Sequence, residues 1–451
     1  MLTDLPVQFQ NFDSTAELQL EDVQLLGSPG VDEGDSEIDT NRQAYSPTIA
    51  PENKFPADDS RANDYSFDRT GPLWPLRSRD EAFLLQYFST DLALWFDYCV
   101  KDNPFATIVI PAAATSPTLL NAILAVSARH LSVTQGFDRY AADKYQHECL
   151  KTLIPALENP EALLDDKLFA ATVILRFFNE MTEPIDEPSP SQHVIGSHLL
   201  IEARERACAQ VSESCGTSSL RSATFNIELR QEIHIAFMTN RPLPTCLVNY
   251  GDIDRTLEPT DDWMWTYRII AHTADTLNYC NGSGPKTPSH WEELWQYLET
   301  WEKALPSSFN PIFEEEADPS TGRIFPDIWL ANDCHAAGHH YVAMCRILLL
   351  AHDPSIPLLG PDRTAALKAM DQQIKELTLK ICGVACSNRQ HVPIMFTAGV
   401  SIAMCKLRLS LSSTGLADSR FQAESDSQKG KSRKHFYGLW ITRKRISFGR
   451  V

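Results

Sequence analysis

SPTLLNAILAVSARHL, residues 116–131, places Leu120, Ile123, Leu124, Ser127 and Leu131 on one face of a helix at 3.6 residues per turn. Ser116 followed by Pro117 is a start signal, because a serine hydroxyl can accept a free backbone N–H and proline at the first helical position has no N–H to lose. The pattern recurs on both sides. DEAFLLQYFSTDLALWF, residues 80–96, predicts a helix with Phe83, Leu84, Tyr87, Phe88, Leu92 and Trp95 on its apolar side. LFAATVILRFFNEM (168–181) and HVIGSHLLIEAR (193–204) predict two more, separated by EPIDEPSPSQ (183–192), whose prolines read as an exposed connection.

Helical periodicity continues through 221–240, 263–280, 291–305, 328–352, 363–386 and 393–412. FATIVIPAAA, residues 105–114, is the one β-branched run; ending in Pro111, it predicts a short extended link. No repeat of fixed period is present. The expected fold is all-α, a multi-helix domain of stacked amphipathic helices over 74–412. A disordered acidic segment (1–73) is expected before it, and a polar, then basic, disordered tail (413–451) after it.

The helix order and the blocks AILAVSARHL (122–131), VILRFFNE (173–180) and HVIGSHLL (193–200) resemble the regulatory domain of fungal zinc-cluster (Zn2Cys6) transcription factors. Arg230-Gln231, Arg241-Pro242-Leu243 and the exit PSSFNPIF (306–313) add to the likeness. The resemblance implies a transcription regulator in a fungal nucleus, controlling a biosynthetic gene cluster and acting as a homo- or heterodimer. A zinc cluster needs six thiolates in two Cys-x2-Cys-x6-Cys halves, and no two of the eleven cysteines stand at x2 spacing. The implied contact with DNA is therefore indirect, through a partner, or through a zinc cluster missing upstream. The end of the chain also departs from the family, turning polar where one more apolar helix with a tryptophan is expected.

Composition agrees with a local, not general, role for charge. The 451 residues carry 40 basic against 59 acidic groups, a net charge of −19, which opposes polyanion binding by the bulk of the chain. No apolar run reaches the roughly 18 residues of a membrane span, and no basic start precedes an apolar stretch, so neither membrane nor secretion is expected. Scattered, odd-numbered cysteines fit reduced thiols. Residues 1–60 hold 13 Asp or Glu and two basic residues, interspersed with Leu5, Phe9, Phe12, Leu18, Leu20, Leu25 and Leu26. Such mixing fits either an activation segment that engages the transcription machinery or an acidic linker.

No catalytic residue and no cofactor site is expected. His335 and His339, with Cys334 and His340 beside them, share a helix face, but Ala336 stands where a zincin needs its glutamate, and buried core histidines are the expected reading. Cys382 and Cys386 read as small buried apolar residues. Gly196-Ser197-His198 and Gly282-Ser283-Gly284 lack the Gly-x-Ser-x-Gly elbow, and no phosphate-binding glycine loop occurs. Trp263, Trp265, Trp291, Trp295 and Trp301 read as core, with a small-molecule pocket between helices as the alternative. A helical small-molecule-binding protein or enzyme, built on those tryptophans and His335/His339, is the competing function.

The tail has eight Lys or Arg after Asp426 and no carboxylate. Lys431, Arg433 and Lys434 with Arg443, Lys444 and Arg445 form a candidate two-part nuclear signal. Translated intron or frameshifted sequence is the alternative. Phe436, Tyr437, Trp440 and Phe448 among these charges allow a third reading, direct nucleic-acid contact.

Overall fold

The computed structural model describes residues 74–159, 162–181, 198, 200–203, 206, 218–248 and 254–412, with side chains to residue 402. The acidic segment, the 183–192 connection and the six basic residues of the candidate nuclear signal lie outside the described residues, as does most of 193–204. Among the described residues the fold is all-α, as expected. The only strands among the described residues are β1 (Phe313–Glu315) and β2 (Asp327–Trp329), which pair antiparallel with Phe313 opposite Trp329.

The first helical stretch is α1 (Arg79–Tyr87), a π-turn over Phe88–Leu92, and α2 (Ala93–Phe96). Leu84, Phe88 and Leu92 are fully buried, but Phe83, expected on the apolar side, is 45% exposed. The predicted extended link at 105–114 is helical instead, a π-turn over Phe105–Val109 running into α3 (Ile110–Ala113). Asp97 explains this start: its two carboxylate oxygens accept the N–H groups of Phe105 (2.8 Å) and Ala106 (2.9 Å), which would otherwise be orphaned.

α4 (Pro117–Gln135) begins as the sequence predicts, with Ser116 Oγ accepting from Leu119 N–H. It stops at Gly136, whose φ of 74° is left-handed. The helix is not one-faced, however. From Thr118 to Leu131 only Asn121 is not buried, because α4 lies between α5 (Arg139–Leu157) and α6 (Asp166–Glu180), with α1 against it as well. Ala122, Ala125 and Ala128, all 0% exposed, let these neighbours approach.

α7 (Ser219–Thr239) links the two halves of the domain. It packs on α6, on α9 (Asp262–Asn281) and on α13 (Val392–Ser412). The short α8 (Thr245–Val248) and α10 (Pro288–Ala304) flank α9. α11 (Asp333–Ala351) packs between α9 and α12 (Pro361–Ser387), which in turn meets α13. The helix expected at 328–352 starts five residues late, at Asp333, because Ile328 belongs to β2 and Asn332 is the cap. Side chains bind the halves together: Asp333 Oδ2 accepts Cys99 N–H at 2.8 Å, and Thr397 Oγ1 meets His234 Nε2 at 3.2 Å.

Candidate functional site

The residues singled out as site candidates do not converge. His335 Nε2 lies 2.8 Å from Asp262 Oδ2, His339 Nε2 donates to Phe309 O (2.9 Å) and His340 Nε2 donates to Ile381 O (2.9 Å), so each ring serves a different neighbour. Burial pushes the pKa of His340 down to about 3 and lowers that of His339, which keeps both neutral. Cys382 is buried and Cys386 half-buried, on α12.

The tryptophans pack and hydrogen-bond as structural residues. Trp301 is buried and donates Nε1–H to Trp265 O at 3.0 Å, Trp291 donates to Leu349 O (3.0 Å), and Trp295 donates to Glu299 (2.9 Å). Trp265 and Trp301 meet edge-on and Trp291 stacks on Trp295. Of the other candidates, Gly282 follows the end of α9, and Gly196 and Ser197 lie outside the described residues.

A cavity of about 110 Å³ opens elsewhere, where four segments far apart in sequence meet. Trp95 and Phe96 come from α2, Phe177 and Glu180 from the end of α6, Ile227, Arg230, Gln231 and His234 from one face of α7, and Val392, Pro393 and Phe396 from the start of α13. The i, i+3, i+4, i+7 spacing of the α7 residues is what sets them on one face. Aromatic packing shapes the wall: Phe177 is edge-on to both Trp95 and Phe96, and Phe396 is edge-on to His234. The polar groups come mainly from α7. Gln231 Oε1 is buried with no hydrogen-bond partner among the described residues. His234 is held neutral, its pKa pushed down to about 3 by burial and by the nearby Arg230 charge.

Behind this cavity lies a buried charge cluster. Arg176 donates Nη1–H to Glu228 Oε1 (2.5 Å), Nη2–H to Glu232 Oε1 (2.6 Å) and Nε–H to Glu180 Oε1 (3.3 Å), while Arg241 reaches Glu232 Oε2 at 2.8 Å. The Arg176 side chain is 2% exposed, those of Glu228 and Glu232 0%. Burial opposes the Arg176 charge, but the three carboxylates more than reverse this and hold it protonated. Burial likewise opposes the Glu232 charge, and Arg176 with Arg241 prevails, lowering its pKa. Glu180 goes the other way, raised to about 7 by burial, which Arg176 only partly offsets.

His198 Nε2 sits 3.8 Å from Glu228 Oε1, so His198, Glu228 and Glu232 form a possible metal-ligand set by composition. The set does not fit an ion here. The Arg176 guanidinium already stands between the two carboxylates and supplies the positive charge that a metal would bring. Of the cavity's titratable groups, His234 with a pKa near 3 is a weak base at neutral pH, whereas Glu180 is raised to about 7.

In the sequence, Arg230 and Gln231 stand out only through the family likeness, and Phe177 and Phe396 carry no signal beyond helical periodicity. The i, i+3, i+4, i+7 set on α7 was present in the sequence, but nothing local says that α2, α6 and α13 close over it. Among the described residues no single helix is long and apolar enough to cross a membrane. The bent pair Phe105–Ala113 and Pro117–Gln135 approaches that composition, and it contributes many of its side chains to the core.

A comparison with curated proteins found no match, and neither did a comparison with solved structures. The family described as fungal specific transcription factor domain matches residues 83–403, which takes in α1 to α13 except the first residues of one and the last of the other. A match over that much of the chain shows what the helix order had suggested: this protein belongs to the fungal specific transcription factor domain family.

Proposed function

We propose that this chain is the regulatory body of a transcriptional regulator that works in the nucleus and has no catalytic role. The observation that carries the reading is the family match over residues 83–403. The helical bundle supports it, since buried polar side chains such as Arg176 and His340 are engaged in structural contacts. The chain meets DNA through a partner protein or through a zinc cluster upstream of this sequence. Its domain spans 74–412, residues 1–73 engage the transcription machinery, and Lys431, Arg433, Lys434, Arg443, Lys444 and Arg445 direct nuclear import. Dimerisation through helix faces and control of a biosynthetic gene cluster follow from the family resemblance.

Deleting the gene and sequencing total transcripts, with the tagged protein imaged in parallel, tests this reading. A coherent set of changed transcripts and a nuclear signal lost on replacing the six basic residues with alanine are expected. A cytosolic protein whose loss leaves transcripts unchanged would sink it.

A further inference from the structure

Five arginines are buried among the described residues: Arg129, Arg176, Arg221, Arg230 and Arg268. Four of them pair directly with a carboxylate, namely Asp143 for Arg129, the glutamates for Arg176, Asp166 for Arg221 and Asp254 for Arg268. Arg230 differs. It is 6% exposed, and no described carboxylate lies within ion-pair distance of it. Its Nε–H donates to Asn226 Oδ1 (3.0 Å) and one Nη–H to Phe96 O (3.3 Å), while its guanidinium carbon lies 5.4 Å from the Tyr98 ring centre.

Asp97 acts on Arg230 through space and Asp333 shares the surroundings of Cys99 with it, and both are committed elsewhere. Asp97 caps Phe105 and Ala106, and Asp333 holds the N–H groups of Cys99 and Cys334. A buried cation without a direct partner is costly, and proteins normally pair it. Arg230 also lines the aromatic cavity, next to the unpartnered Gln231 Oε1.

We infer that the cavity between α2, α6, α7 and α13 binds a small aromatic carboxylic acid, with its ring against the aromatic wall and its carboxylate on Arg230. Size agrees: a cavity of about 110 Å³ is of the order that holds a single ring, since one of roughly 150 Å³ binds benzene. Shape agrees too, because Phe177, Trp95 and Phe396 present flat surfaces to a planar ring. A guanidinium is the side chain best matched to a carboxylate, whose two oxygens it can meet together. Glu180, the acid in the lining, is already held by Arg176 at 3.3 Å, and with its pKa near 7 it is in good part protonated at neutral pH. A ring hydroxyl, where present, would give Gln231 Oε1 the donor it lacks.

The site goes beyond the regulatory role proposed above, and it is tested on purified protein so that the two stand or fall separately. Calorimetric titration of the full chain would use benzoate, 4-hydroxybenzoate and phenylacetate, with benzyl alcohol as a neutral control. At least one acid should bind at one site, at least about tenfold more tightly than the alcohol, the ratio expected of a charged hydrogen bond. Arg230→Met should fold, since it removes an unpaired buried charge, and should abolish that preference. Arg230→Lys should retain part of it. Ile227→Trp, which fills the cavity and leaves residue 230 an arginine, should abolish binding, and it answers the question even if the arginine variants fail to fold. Equal binding of acid and alcohol, no binding by any acid up to about 10 mM, or wild-type binding by Ile227→Trp overturns the inference.

Discussion

Replacing Arg176 by Met would leave Glu228 and Glu232, both 0% exposed, facing each other without the guanidinium that joins them. Arg241 still reaches Glu232 Oε2, but its own side chain is 40% exposed, so it makes up only part of the charge that Arg176 supplied. Breaking a buried ion pair in this way costs about 3–5 kcal/mol, several times the loss from an exposed pair. With a urea slope of about 3 kcal/mol per molar for a domain of this size, the unfolding midpoint should fall by about 1–1.7 M. Urea is the right denaturant because it leaves ionic strength unchanged.

The loss should also depend on pH. Without Arg176, the folded pKa of Glu228 and Glu232 rises above the ordinary glutamate value near 4.5, so the native state binds more protons and stability is lost as pH rises. Arg176→Met should therefore be more stable at pH 5.5 than at pH 7.5, relative to wild type at each pH. Adding Glu228→Gln and Glu232→Gln to Arg176→Met removes the stranded charges and should restore most of the midpoint. A midpoint shift below about 0.3 M, or a triple variant no better than the single one, would refute the assignment of this cluster as a buried ion-pair hub.

Other outcomes follow from single side chains. Gly383→Ala would gain up to about 1 kcal/mol of helix propensity, yet its Cβ would fall on Pro326 O with Pro326 Cγ 2.7 Å away, and that overpacking should win, with a net loss of about 1–2 kcal/mol by chemical denaturation. Ser116→Ala removes the cap of α4 and should cost about 1 kcal/mol in the same assay, while Ser116→Asp should cost little. His340, with its pKa pushed down to about 3 by burial, is neutral in the native state but takes a proton near pH 6.5 when unfolded, so its contribution is complete above pH 6.5 and is lost as pH falls toward 3. His340→Gln should accordingly flatten the fall in stability over that range. Burial raises the Cys99, Cys149, Cys280 and Cys345 thiols to about 12, so alkylation at pH 8 followed by mass spectrometry should label half-buried Cys386 well before these four.

Much of the helix order could be read from sequence because caps and periodicity are local. Ser116 and Pro117 state where α4 begins without reference to any neighbour. What α4 touches is another matter: its alanines carry little hydrophobic signal, yet they are the positions that let α5 and α6 close around it. The misreading at 105–114 has the same root, since Val109, Ile110 and Pro111 look extended until Asp97, eight residues before Phe105, caps the turn. The cavity was least legible. Its walls come from residues 95–96, 177–180, 227–234 and 392–396, and only packing brings those faces together.

The bond from Asp333 to the Cys99 amide, together with that from Thr397 to His234, sets a timetable for biosynthesis. The two ends of the first bond are 234 residues apart in the chain. At translation rates of about 5–20 residues per second, the α1–α3 region waits roughly 12–47 seconds for the residue that ties its amide down. The α7 histidine, counted from its own synthesis, waits roughly 8–33 seconds across the 163 residues to Thr397. The early helices therefore emerge from the ribosome before the residues that complete these two contacts have been made.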